Sequence, residues 1–234
     1  MRFAALCVIP IAVVGGHSDF LFRADDMAGR VSAIRPQTRH KDRLNVLVDD
    51  RFAVGVAAAV GARLRVGQVL SDEELAELVH ADAYETAHER ALRFLEPRPR
   101  SASEVRQHLS KKQTEDGVID EVMRALSEAG LIDDEAFAQY WVDNRETFRP
   151  RATRALRYEL KRKGLSDGAI ARAIGSVDET ESAYRAAVPR AQRWIEMERR
   201  DFMEKLGAYL ARRGFSYETA KATAKRLWEE THAS

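Results

Sequence analysis

Apolar residues recur along this chain in two rhythms. Between residues 30 and 56 they come in short β-prone runs: Val31-Ser32-Ala33-Ile34, Leu44-Asn45-Val46-Leu47-Val48 and Phe52-Ala53-Val54-Gly55-Val56. Asp49-Asp50 separates the last two runs, a turn signal that predicts a hairpin, with Val31 to Pro36 as a third strand. A lone hairpin is marginal in water, so this one should lean on a helix. Ser71 and Glu74 carry the Ser-x-x-Glu signature of a capping box and predict a helix through Leu75, Leu78 and Val79. From Ala81 onward the apolar spacing is three and four, the mark of amphipathic helices. Tyr84, His88, Ala91, Leu92 and Leu95 share one face, and Glu96-Pro97-Arg98-Pro99 stops that helix. Ser101 or Ser103 can cap the next helix, which turns Val105 and Leu109 inward; a third, through Val118, Ile119, Val122, Met123 and Leu126, ends at Gly130.

The same pattern then returns twice. Arg98-Pro99-Arg100 matches Arg149-Pro150-Arg151 at a distance of 51 positions, with Val105 falling on Leu156, Leu109 on Leu160 and Ile119 on Ile170. At a further 50 positions Leu156, Leu160, Lys163, Gly164 and Ser166 find Leu206, Leu210, Arg213, Gly214 and Ser216. In the second copy Phe137, Trp141 and Phe148 read as anchors; in the third, Tyr184, Val188, Ala191 and Ile195 do. A fixed period near 50 marks an array of one supersecondary unit whose copies stack to bury their apolar faces. The expected fold class is therefore mainly α: three tandem three-helix repeats forming an elongated curved array, with a small amino-terminal β-hairpin or three-strand attachment. The expected boundaries are an extension at 1–26, a hairpin-plus-helix module at 27–80, and repeats at 81–133, 134–178 and 179–234.

Composition narrows the function classes. The formal net charge is only +1, which argues against a protein that simply coats nucleic acid. A single cysteine, Cys7, excludes an intrachain disulfide and fits a reducing, cytoplasmic compartment. No apolar run reaches transmembrane length. Arg2 and the apolar stretch Phe3 to Val14, broken by Pro10, admit three readings of the amino terminus: an over-extended reading frame with Met27 as the true start, a weak secretory signal, or an additional strand or tail.

Candidate chemistry is sparse. The histidines (His17, His40, His80, His88, His108 and His232) lack metal-site spacing, and His88 and His108 read as packing residues. No phosphate-cradling glycine loop is present, and Gly55 to Gly61 reads as a turn. Asp133-Asp134 and Glu229-Glu230 are adjacent acids; the first pair stands where a helix needs capping. Neither a catalytic, a metal nor a cofactor site is expected. The positive signal is charge: Arg149 to Lys163 holds seven basic residues against one acid, Glu159. Arg151, Arg154, Arg157 and Lys161 are spaced three, three and four, which predicts one helical face, with Leu156 and Leu160 turned to the core. Arg98, Arg100 and Arg149 extend the charge in the preceding connections, and Lys163 lies at its end. Arg212 and Arg213 are the counterpart in the third repeat. Such a stripe suits an acidic protein face or a phosphate backbone, but it lacks interleaved aromatics for single-strand stacking.

Several stretches resemble the RecX family, bacterial regulators that bind the RecA recombinase. The likeness covers roughly residues 30 to 230 and is strongest at three places: Leu92-x-x-Leu95-x-x-Arg98-x-x-Ser101-x-x-Glu104-x-x-x-x-Leu109; Gly130-Leu131-Ile132-Asp133-Asp134-x-x-Phe137-Ala138 with Arg145 beyond; and Glu159-Leu160-Lys161-Arg162-Lys163-Gly164-Leu165. Leu210-Ala211-Arg212-Arg213-Gly214-Phe215-Ser216 fits as well. Ala152 stands where many relatives carry glycine, and Gln113 replaces the glycine found at 164 and 214. The resemblance implies a non-enzymatic modulator that binds the RecA protein and the RecA–DNA filament and restrains recombinase and ATPase action, in DNA repair, recombination and the SOS response, with room for a weak direct DNA contact and no membrane. Two other classes compete: a direct DNA-binding helical module, and a hydrolase with a spatially assembled acid site.

Overall fold

The computed structural model describes residues 28–232, so the amino-terminal extension with Cys7 and His17, and Met27 itself, lie outside the described residues. The described residues divide into two units that part after Leu78. In the first, β1 (Gly29–Pro36), β2 (Arg43–Val48) and β3 (Arg51–Ala57) form the expected antiparallel arrangement. Asp49 and Asp50 both adopt positive φ, 47° and 63°, as a two-residue hairpin turn matched to strand twist requires. The Asp50 amide is held by the Ser32 hydroxyl at 2.8 Å. A one-turn helix, α1 (Ala58–Gly61), and a two-residue strand, β4 (Val69–Leu70), complete the unit, and the sheet order is β3-β2-β1-β4. Val31, Val46, Val56 and Leu70 make its buried face.

The Ser71–Glu74 capping box is present, each side chain meeting the other's amide at 2.8 and 3.2 Å. The helix it opens does not stop at Val79: α2 runs unbroken over Asp72–Leu95. No glycine or proline lies between Leu75 and Leu95, so nothing in the sequence divides the two helices expected there.

The remaining helices are α3 (Ala102–Lys111), α4 (Asp116–Glu128), α5 (Asp134–Phe148), α6 (Thr153–Arg162), α7 (Asp167–Ile174), α8 (Glu179–Ala191), α9 (Arg199–Arg212) and α10 (Tyr217–His232). Apolar clusters follow the repeat. One gathers Val105, Leu109, Ile119 and Leu126; a second, Phe137, Leu156, Leu160 and Ile170; a third, Phe202, Leu206, Leu210 and Leu227. The aligned leucines Leu109, Leu160 and Leu210 are all fully buried. Two anchors are not anchors. Phe148 is 74% exposed, and Ile195 falls beyond α8, exposed after a short 3-10 turn at Gln192–Trp194.

The joints between successive triplets also repeat. The Ser101 hydroxyl, N-cap of α3, donates to the Lys163 carbonyl at 2.7 Å. One period on, the Ala152 amide before α6 donates to the Arg213 carbonyl at 3.2 Å. The glycine following each carbonyl has positive φ, 82° at Gly164 and 93° at Gly214. A Cβ at Gly164 would collide with the Ser103 side chain, and one at Gly214 would come within 2.9 Å of the Ala155 methyl. Gln113 takes the same left-handed turn (φ 59°) with an exposed side chain, which is why glycine is not needed there.

Candidate functional site

Helix α6 carries the expected basic face, with a correction. Arg154, Arg157 and Lys161 are exposed along it, and so is Tyr158, 63% exposed, so the face carries an aromatic, contrary to the sequence-based expectation. Arg151 is not on the helix, because Ala152 is its N-cap and Thr153 its first residue. Ala152 offers no capping oxygen, so the helix start is capped by Glu179 of α8, which accepts from the Thr153 amide at 3.2 Å and hydroxyl at 2.6 Å.

Most of the candidate cations are engaged inside the protein. Glu104, on α3, accepts from Arg98 at 3.0 Å and from Lys163 at 2.6 Å, joining the first and second triplets. Burial pushes its carboxyl upward, but hydrogen bonds from Arg98, Lys163 and the Ser101 amide outweigh that and hold it at about 2. Arg151 turns to Glu159 at 2.7 Å, the same carboxylate that takes the Trp141 indole N–H and Arg145, each at 2.8 Å. Arg100 lies 4.0 Å above the Phe94 ring and donates to the Phe94 carbonyl at 3.2 Å; His108 stacks on the same ring at 4.1 Å. Burial, then neighbouring cations led by Lys112, push the His108 imidazole below its usual value. Lys161 pairs with Asp167 at 3.1 Å, and Arg154 donates to the Gly214 carbonyl. Arg213 donates to the Pro150 carbonyl at 3.0 Å with its guanidinium 4.8 Å from the Tyr209 ring. Arg149, Arg157 and Arg212 are exposed and make no ion pair among the described residues.

The structure therefore splits the stripe in two. Arg154, Arg157 and Lys161 face outward on α6. Arg149, Arg151, Arg212 and Arg213 converge instead on a cleft of about 480 Å³ between the second and third triplets, with Phe148 and Tyr209 in its walls. Arg190, from the end of α8, joins them, its guanidinium 5.3 Å from the Tyr209 ring. Nothing in the sequence marks Arg190, which stands outside the basic stripe; only the fold brings it to the others. The acid pairs do not converge on a site. Asp133 caps α5 through the Glu135 and Ala136 amides, Asp134 accepts from the Ala102 amide at 2.9 Å, and Glu230 takes the Tyr184 hydroxyl and Arg226. Among the described residues no group of three or more His, Cys, Asp or Glu side chains could hold a metal ion, and no helix is long and apolar enough to cross a membrane.

Residues 87–126 match the family model described as RecX, first three-helix domain, and residues 133–174 the model described as RecX, second three-helix domain. The regulatory protein RecX of Leuconostoc mesenteroides is 31% identical over 193 residues, spanning 80% of this chain and 72% of the relative. The chain belongs to the RecX family. Regulatory protein RecX of Geobacillus kaustophilus is 35% identical over 175 residues, 74% of this chain and 65% of that one. A crystal structure of regulatory protein RecX superposes with a TM-score of 0.63 at 25% identity, over 85% of this chain and 99% of that chain. The fold is thus that of RecX: three-helix domains preceded by a small antiparallel sheet. The RecX-like stretch from Gly130 has a structural explanation. Gly130 supplies a left-handed turn (φ 68°), Ile132 is buried against the first cluster, and Asp133 and Asp134 cap α5 and α3. That stretch is a joint between the first and second three-helix domains.

Proposed function

We propose that this protein is a non-enzymatic regulator that binds the RecA recombinase and its filament on DNA, and restrains recombination and ATP hydrolysis. Family membership carries the reading: the relatives it matches over most of its length are named regulatory proteins. The role belongs in the cytoplasm, in DNA repair, recombination and the SOS response. The chemistry is compatible, since the described residues present cations on helix surfaces and no metal-ligand cluster. The outward face of α6 is the RecA-facing surface. Arg157 is its cleanest probe, because it is exposed and unpaired, whereas Arg154 also holds Gly214 and Lys161 holds Asp167.

The test is ATP hydrolysis by RecA on single-stranded DNA with increasing amounts of this protein. Wild type should depress the rate. Arg157→Glu should depress it less while melting at the wild-type temperature, because exposed substitutions usually change stability by less than about 0.5 kcal/mol. Inhibition by wild type should weaken with salt, as charges separated by more than about 8 Å are screened at physiological ionic strength. Superimposable inhibition curves for the two proteins would remove α6 from the interface. Absence of any effect or of binding by wild type would remove RecA as the partner.

A further inference from the structure

The cleft between the second and third triplets is built of unlike parts. Phe148 and Arg149 come from the end of α5, Arg190 from the end of α8, and Tyr209, Arg212 and Arg213 from the end of α9. Five guanidinium groups and no carboxylate line this cavity; the adjoining one, which shares Phe148, Arg190, Tyr209 and Arg213, adds Glu146, paired to Arg185. Arg151 is paired with Glu159, a carboxylate it shares with Arg145. Arg213 donates to the Pro150 carbonyl, a neutral acceptor, which leaves its charge uncompensated. Arg149, Arg190 and Arg212 have no acidic partner among the described residues. In a chain of net charge +1, four uncompensated guanidinium groups around about 480 Å³ are a strong local excess. Like charges so placed repel one another, and an anion in their midst relieves the repulsion.

The aromatics say which anion. Phe148, the last residue of α5, is 74% exposed on the cavity wall. The Arg213 and Arg190 guanidinium groups lie 4.8 and 5.3 Å from the Tyr209 ring, within cation–π reach. An acidic peptide would use the cations but has no need of a bare ring. Duplex nucleic acid has its bases stacked away from such a ring. A single strand uses both: guanidinium forks take phosphate oxygens in pairs, and an unpaired base lies on an aromatic face. The walls are also held in place, by the bonds from Arg213 to Pro150 and from Ala152 to Arg213 at 3.0 and 3.2 Å.

We infer that this cleft is a binding site for single-stranded nucleic acid, with phosphates held by Arg149, Arg190 and Arg212 and a base stacked on Phe148. The site goes beyond the proposed action on RecA and needs no recombinase to operate.

The experiment measures fluorescence anisotropy of a labelled oligothymidine with the full chain and no recombinase, over a range of salt. Wild type should bind saturably, and more weakly as salt rises. The Arg149→Ala, Arg212→Ala double variant should lower the slope of log affinity against log salt by about 1.4, at roughly 0.7 for each single-strand phosphate that is no longer neutralised. Phe148→Ala should weaken binding roughly 5- to 150-fold, the range for one stacked base, without changing that slope. Arg190→Gln is a separate check from another helix and should behave as half the double variant. Arg157→Glu, on the outer face of α6, should bind the oligonucleotide as wild type does. Absence of binding by wild type would overturn the inference. So would a silent Phe148→Ala, a duplex bound as tightly as the single strand, or displacement of the strand by an equal charge of polyglutamate. Each of those leaves the RecA reading standing, because that reading is decided by ATP hydrolysis and by Arg157.

Discussion

Glu104 shows how much one carboxylate can join. It closes the capping box of α3 with Ser101, accepts Arg98 from the preceding connection, and accepts Lys163 from the next triplet. Because its folded value is depressed to about 2, it contributes stability that is fully present above the unfolded carboxylate range and is lost as pH falls from about 4.5 toward 2. Glu104→Gln should therefore lower stability by about 1–2 kcal/mol near neutral pH, less than the full shift implies because the group is partly solvated. The difference from wild type should shrink below pH 4, as chemical denaturation across pH would record; a gap independent of pH would mean that Glu104 acts by shape alone. Gly164 is the second residue whose role can be isolated. It needs both a left-handed backbone and the absence of a Cβ next to Ser103, whereas Gly130 needs only the first. Gly164→Ala should cost more than the roughly 1–2 kcal/mol expected for a left-handed alanine, and Gly130→Ala about that much. In a double-mutant cycle Ser103→Gly should recover the excess at Gly164, and additive effects would refute the close contact.

At the scale of elements, periodicity carries the fold and stops short of the connections. The echo at 51 and then 50 positions places Leu109, Leu160 and Leu210 in equivalent sites, and all three are buried. Leu160→Ala should cost about 2–5 kcal/mol, and Leu109→Ala and Leu210→Ala similar amounts. A thermal melt of Leu160→Ala matching wild type would refute the shared register. Caps are equally legible, since Ser71, Ser101 and Asp133 act through bonds to amides only two or three residues away. Three features are not. The continuity of α2 through Val79 escapes a local reading because a capping box marks where a helix opens and says nothing of where it ends. Phe148 mimics an anchor because helical spacing fixes a face only while the helix lasts, and α5 ends at that residue. Arg151 mimics a residue of α6 because its spacing from Arg154 is helical, yet the helix begins two residues later and Glu159 draws its side chain aside.

For the molecule as a whole, the informative charge is the one that emerges only when triplets meet. Net charge argues against a protein that coats nucleic acid, but it is blind to arginines from three helix ends meeting in one cleft. An exposed aromatic, Tyr158, lies on α6 with the Arg162 guanidinium 5.9 Å from its ring, while the cleft adds Phe148 from α5 and Tyr209 from α9, the latter engaged by Arg190 and Arg213. Stacked repeats gain stability from their own clusters and from joints with neighbours, so losing one copy should remove its joint and leave the rest folded. A chain ending at Asp178 keeps the cluster of Phe137, Leu156, Leu160 and Ile170, but loses the Glu179 cap on α6 and the bonds that Arg213 and Gly214 make to Ala152 and Arg154. The missing cap alone should cost about 0.5–2 kcal/mol. The shortened protein should thus melt cooperatively at a lower temperature than the full chain, with helical signal reduced by the share of α8 to α10. It should bind oligothymidine only residually, since Arg190, Tyr209, Arg212 and Arg213 are gone. Circular dichroism and anisotropy on the same preparation separate the outcomes. A chain without helical signal would show that the second triplet depends on the third for folding, and a folded chain with wild-type oligonucleotide affinity would move the nucleic-acid site away from the cleft.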